Sequence, residues 1–155
     1  MEREKIIEEI IATAQMQADR YAKLVDLADE QQSILLSNNH SELSQNLSKF
    51  DQQLIEVMQI NKRENSLFER LNQLQADGPY PRLSDTDMRY RELAMGVEES
   101  ANRLRELTEA NRQLLTGAME FVNFSFGIIC KAVTEASGLN GICNSNPAIV
   151  LDTKV

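Results

Sequence analysis

The sequence predicts an all-α chain, an elongated antiparallel three-helix bundle of the coiled-coil kind with a longer third helix and a C-terminal tail. Three observations predict it. Apolar residues recur at three- and four-residue spacing along three long stretches, the period of a helix that buries one stripe. Only 6 Gly and 3 Pro occur in 155 residues, and Gly78, Pro79 and Pro81 fall together at one break between those stretches. Aromatic residues are 5% of the chain and Trp is absent, which is too few for the usual core of a sandwich or small barrel. A chain of 155 residues is room for one domain. The spacing predicts a single domain over 1–137, with helices at about 2–37, 41–75 and 85–137, a loop at 76–84, and a tail at 138–155.

The first helix follows from a seam of Ile7, Ile10, Ala14, Gln17, Tyr21, Leu24, Ala28, Gln31 and Leu35, widened by Ile11, Ala18 and Val25. Gln17 and Gln31 interrupt it with polar groups. Glu2, Glu4, Glu8 and Glu9 suit the positive end of the helix dipole. Ser37 to Ser41 form a turn in which Ser41 is positioned to cap the second helix. The second helix has a seam of Leu43, Leu47, Phe50, Leu54, Val57, Asn61, Glu64, Phe68 and Leu71, with Ile60, Leu67 and Leu74 as a flanking row. Asn61 and Glu64 are read as setting the register or marking an open edge. Gly78, Pro79 and Pro81 end helical structure. Ser84 or Asp85 is expected to cap the third helix, whose apolar period runs from Tyr90 to Ala132 and stops before Gly138. The tail, with Gly141 and Pro147, has no helical period.

Lengths create a mismatch. At ~1.5 Å per residue the third helix is ~80 Å long and the first two roughly 52–54 Å. Residues from about Phe121 onward are therefore expected to project beyond the other two helices. Composition shifts at the same place. From Ala110 to Val155 only Arg112, Glu120, Lys131, Glu135, Asp152 and Lys154 are charged, and three of the five Phe residues fall between Phe121 and Phe126. An apolar segment without cover from its own fold is an interface or a liability. Gly117 and Gly127 weaken that helix by about 1 kcal/mol each relative to Ala, so it is expected to order against a partner. The expected contacts are Leu114, Leu115, Phe121, Val122, Phe124, Phe126, Ile128, Ile129 and Val133. Two other readings compete with a partner: the tail folds back over this surface, or the segment forms a homodimer.

Charge and motifs exclude several classes. A net charge of −8 argues against nucleic acid and against anionic membrane surfaces. The apolar run Phe121–Cys130 is about half of the ~20 residues a membrane span needs, so no membrane insertion is expected. No apolar secretory segment follows Met1, and a cytoplasmic location is expected. Cys130 and Cys143 are then expected as free thiols. His40 is the single histidine, placed in a turn. No catalytic residue, metal ligand set or cofactor is predicted, because no phosphate-cradling glycine loop, nucleophile–base pair or Glu-x-x-His pattern is present. The chain is not expected to be an enzyme.

Three features together resemble the FlgN family of flagellar type III export chaperones. One is the hairpin Leu24-x5-Glu30-x4-Leu35 through Leu43, Leu47 and Leu54 to Arg63. Another is Asn111-Arg112-Gln113-Leu114-Leu115 followed by Ala118-Met119-Glu120-Phe121-Val122-Asn123-Phe124. The last is Val150-Leu151-Asp152-Thr153-Lys154-Val155. The resemblance implies a cytosolic protein that binds the C-terminal amphipathic helices of the hook-associated proteins FlgK and FlgL, prevents their premature assembly, and hands them to the flagellar export gate. It also implies that the C-terminal part binds cargo. In some relatives a tyrosine in that part docks to the gate. The last tyrosine here is Tyr90, so that role does not transfer. The alternative reading is a structural coiled-coil adaptor or homo-oligomeric interaction protein.

Overall fold

The structure, a computed structural model, describes residues 2–37, 39, 41–74 and 81–137, except the side chains of residues 122 and 132–137. Most of the described residues are helical, with no strand among them. They form α1 (Glu2–Leu36), α2 (Leu43–Gln73), a single turn α3 (Leu83–Thr86) and α4 (Met88–Ser137). At 50 residues, α4 is longer than α1 at 35 and α2 at 31. Two compact units divide the chain, Met1–Asn111 and Arg112–Val155. The expectations for His40, Gly78, Pro79, Cys143 and the tail lie outside the described residues.

In the first unit α1 and α2 pack as an antiparallel pair. Ile6 and Ile10 of α1 meet Leu67 and Leu71 of α2 in the core cluster, while Asn46 from the start of α2 reaches Leu27 near the end of α1. The buried face of α1 carries Ile6, Ile10, Ala14, Leu24, Leu27, Ala28, Ile34 and Leu35, close to the predicted seam. The buried face of α2 is displaced from it. Asn46, Gln53, Val57, Ile60, Leu67 and Leu71 are buried, whereas Leu47 and Leu54 of the predicted seam are exposed. The heptad row 46, 53, 60, 67 faces α1, and its polar members are paired rather than avoided.

That pairing fixes the register. Asn46 Nδ2 donates to the Leu27 carbonyl at 3.0 Å and to Glu30 Oε2 at 3.1 Å. Arg20 Nη1 donates to Gln53 Oε1 at 3.2 Å, and Gln17 Nε2 to Asn61 Oδ1 at 2.7 Å. A slip of one residue would strand each of these groups, at about 1–3 kcal/mol per buried unsatisfied group. The Oδ1 atoms of Asn46 and Asn111 are buried and accept no hydrogen bond among the described residues, so register is bought at some cost in stability.

The first part of α4 meets this pair through side chains. Tyr90 packs edge-on against Phe68, ring centroids 5.7 Å apart at 76°, a geometry worth about 0.5–1.5 kcal/mol beyond burial. Arg89 forks onto Glu8 at 2.7 and 3.1 Å. Further along, Leu107 and Asn111 are buried, and Asn111 Nδ2 donates to the Ala28 carbonyl and to Gln31 Oε1, both at 2.9 Å. The partners on α1 advance from residue 8 to residues 28 and 31 as α4 advances from 89 to 111, so α4 runs parallel to α1 over this stretch.

Caps and connections differ from expectation. Ser41 does not cap α2: its hydroxyl donates to Asn39 Oδ1 at 2.7 Å, and Glu42 occupies the N-cap without a side-chain bond. Helix resumes at Leu83, inside the expected loop, because Leu83 packs on the core cluster of Ile6, Ile10, Leu67 and Leu71. Ser84 and Asp85 lie in α3, where their carbonyls accept from Arg91 at 2.7 and 3.2 Å. The cap of α4 is Asp87, whose Oδ1 accepts the Arg89 backbone N–H at 2.9 Å. The Arg89 guanidinium beside it holds the Asp87 carboxyl below its ordinary range. Cys130 is disulfide-bonded, which corrects its reading as a free thiol.

Candidate functional site

The second unit begins where burial on α4 ends. From Gln113 to Cys130 only Glu120 is charged, and no described residue after Asn111 is buried. Large apolar side chains nevertheless crowd the helix. Phe121 is 69% exposed, Phe124 68%, Ile129 59%, Ile128 54%, Leu115 45% and Phe126 38%. Leu114 is half-buried. Val122 and Val133, expected among the contacts, have side chains outside the described residues.

Helical periodicity groups these residues. At ~100° per residue, Phe121, Phe124 and Ile128 fall within about 60° of one another, with Leu114 beside them. Leu115, Phe126 and Ile129 lie next to that stripe, so the apolar arc is about 200° wide. A wide arc of this kind on an exposed helix is surface that water covers at a free-energy cost. Gly117 and Gly127 have open space where a Cβ would stand. No other described residue approaches either glycine, and each removes helix propensity.

The surface concavities of the first unit are shallow grooves along helices. One is lined entirely by α4, from Glu92 to Glu106. Others run between α1 and α2 and carry mostly charged and amide side chains. Among the described residues no three His, Cys, Asp or Glu side chains gather as metal ligands. Among the described residues, Glu64 and Tyr90 form a half-buried pair whose titration is perturbed. Tyr90 OH donates to Glu64 Oε1 at 3.2 Å. Burial raises the Glu64 pKa above its ordinary value, and burial together with the Glu64 charge pushes Tyr90 to about 12. This pair is a structural tie between α2 and α4.

A family model for the FlgN protein matches residues 1–138, and so takes in both α1–α2 and the apolar part of α4. The chain belongs to the FlgN family. No curated protein matches it, and no solved structure does. FlgN proteins are soluble cytoplasmic chaperones of flagellar export that bind hook-associated proteins. The resemblance stated from sequence is thereby shown, and the family is one of chaperones rather than enzymes.

One property of α4 bears on that assignment. A window within Met88–Lys131 is long and apolar enough to cross a membrane by length and composition, a longer stretch than the Phe121–Cys130 run singled out by sequence. A single such helix does not establish insertion, since core helices of soluble proteins and signal sequences meet the same criterion. Sequence reasoning found the apolar residues directly. It missed the open grooves of the first unit, because they combine residues from two helices that no linear pattern joins.

Proposed function

We propose that this FlgN protein sequesters the C-terminal amphipathic helices of hook–filament junction proteins of the FlgK and FlgL kind on the α4 face formed by Leu114, Leu115, Phe121, Phe124, Phe126, Ile128 and Ile129, with Val122 and Val133 as further contacts. It keeps those helices from assembling prematurely and hands them to the export gate. The observation that carries the reading is the exposure of six large apolar side chains on a helical run with a single charge. An amphipathic cargo helix would lay its apolar stripe on such a face, with anchors at i, i+3, i+4 and i+7. Family membership supplies the class of cargo. Binding occurs without turnover: apolar area leaves water on both partners, and the gain is offset by the cost of ordering the helices.

The test is calorimetric titration of the full chain with the C-terminal helical peptide of a hook–filament junction protein, beside a chain ending after Asn111, which keeps the first compact unit whole. One-to-one binding with a negative heat-capacity change, lost on shortening, is the expected result. Retention of binding by the shortened chain would move the site elsewhere. Flotation of the full chain with liposomes, without peptide binding, would assign the apolar face to lipid instead.

A further inference from the structure

We propose that the groove between α1 and α2 is a second docking site, which takes an acidic amphipathic helix of a protein partner. Three adjoining concavities make up this groove, sharing Arg20, Glu56, Gln59 and Arg63. Six cations line it: Arg20, Lys23, Lys49, Lys62, Arg63 and Arg70, against two carboxylates, Glu9 and Glu56. The chain as a whole carries 24 acidic and 16 basic residues, so the groove reverses the sign of the molecule. Only Arg20 is neutralised, by Glu56 at 3.0 Å. Among the described residues Lys23, Lys49, Lys62, Arg63 and Arg70 have no ion-pair partner.

Unneutralised like charges along one face repel one another and create a positive potential that an anionic partner relieves. Between the cations the floor is apolar in part, with the amides Gln52, Gln53 and Gln59 beside the apolar side chains. Met16 is exposed, and Ile60 and Leu67 are covered beneath it. A positive rim around an apolar floor matches a helix with an apolar stripe flanked by carboxylates. From Glu9 to Lys23 the α1 side of the groove spans ~21 Å, about four turns of a bound helix. Phosphate backbones would satisfy the charge but leave the apolar floor unused. The groove's cations differ from the residues to which α4 is tied, among them Glu8, Ala28, Asp29, Gln31, Glu64 and Phe68. They also lie in the first compact unit, whereas the proposed cargo face lies in the second.

The full chain is titrated with a designed peptide of about 16 residues, with leucines at helical spacing and glutamates on both flanks. The comparisons are the same peptide with glutamine for glutamate, and a dT16 oligonucleotide. Binding of the acidic peptide, weakened by added salt and about tenfold weaker with the glutamine peptide, is expected. The pair Lys49→Glu and Arg63→Glu should weaken it by about tenfold or more, while Phe121→Ala leaves it unchanged. Circular dichroism melts, and the neutral pair Lys49→Gln and Arg63→Gln, establish that the fold is retained. Equal binding of both peptides, no binding, tighter binding of dT16, or indifference to charge reversal would each overturn the proposal. So would self-association of the chain that the charge reversal abolishes, since a second copy would then fill the groove.

Discussion

Replacing Phe121 and Phe124 together by alanine separates a binding face from a folding face more sharply than any other change in this chain. Burying a phenylalanine fully is worth about 1.5–3 kcal/mol. Phe121 and Phe124 each leave roughly two-thirds of their surface in water, at 69% and 68% exposure. Each therefore has about 1–2 kcal/mol to gain on covering by a cargo helix, and the pair about 2–4 kcal/mol. At ~1.4 kcal/mol per decade, the double variant should bind a junction-protein C-terminal helix roughly 30- to 700-fold more weakly. The folded protein loses nothing comparable, because the surface removed was already wet. The assay is titration calorimetry with the peptide, alongside helicity and melting by circular dichroism. A loss of affinity below about threefold would remove these side chains from the site. A fall in melting temperature as large as that from a core truncation, about 2–5 kcal/mol, would make them part of the fold instead.

Other expectations concern the first unit and the helix itself. The raised pKa of Glu64 means that the folded state holds its proton more tightly than the unfolded chain does. Stability from this group is therefore full below the ordinary carboxyl range and falls as pH rises through the raised value; Glu64→Gln should raise Tm at neutral pH and flatten that part of the Tm–pH curve. Tyr90 follows the same sign, its contribution falling as pH climbs from about 10 to about 12, and Tyr90→Phe should abolish the alkaline limb. Asp87→Ala should lower stability by loss of the α4 cap, while Asp87→Asn retains most of it, as read from urea midpoints. Gly117→Ala with Gly127→Ala should add helicity and up to about 2 kcal/mol of helix stability, because each methyl enters open space; tighter peptide binding in a titration would show that helix ordering limits affinity.

Much of this was legible in the sequence. The seam of α1 was readable because its buried residues are apolar at regular spacing. The α2 seam was misread by one row, and the physical reason is specific. A reading that follows hydrophobicity selects Leu47 and Leu54 over Asn46 and Gln53, yet those two amides are buried because Leu27, Glu30 and Arg20 supply their partners. Partners from a second helix carry no signal in a single stretch of chain. The cap at Asp87 was missed for a similar reason: Ser84 and Asp85 have equal capping propensity, and the choice follows from where Leu83 finds its core. The exposed face from Leu115 to Ile129 was readable because exposure there follows from a surplus of apolar side chains rather than from any pairing.

Asn111 marks a division of labour within one continuous helix. Changes before it are answerable to the hydrogen bonds and core contacts that hold α4 to α1 and α2. Changes after it alter no buried described residue, so they are judged by the surface offered outward. Substitution can therefore alter the surface of the second stretch without renegotiating the fold of the first. A chimera joined at residue 112, taking its C-terminal segment from another FlgN protein, should fold as its parent does and inherit the donor's choice of cargo.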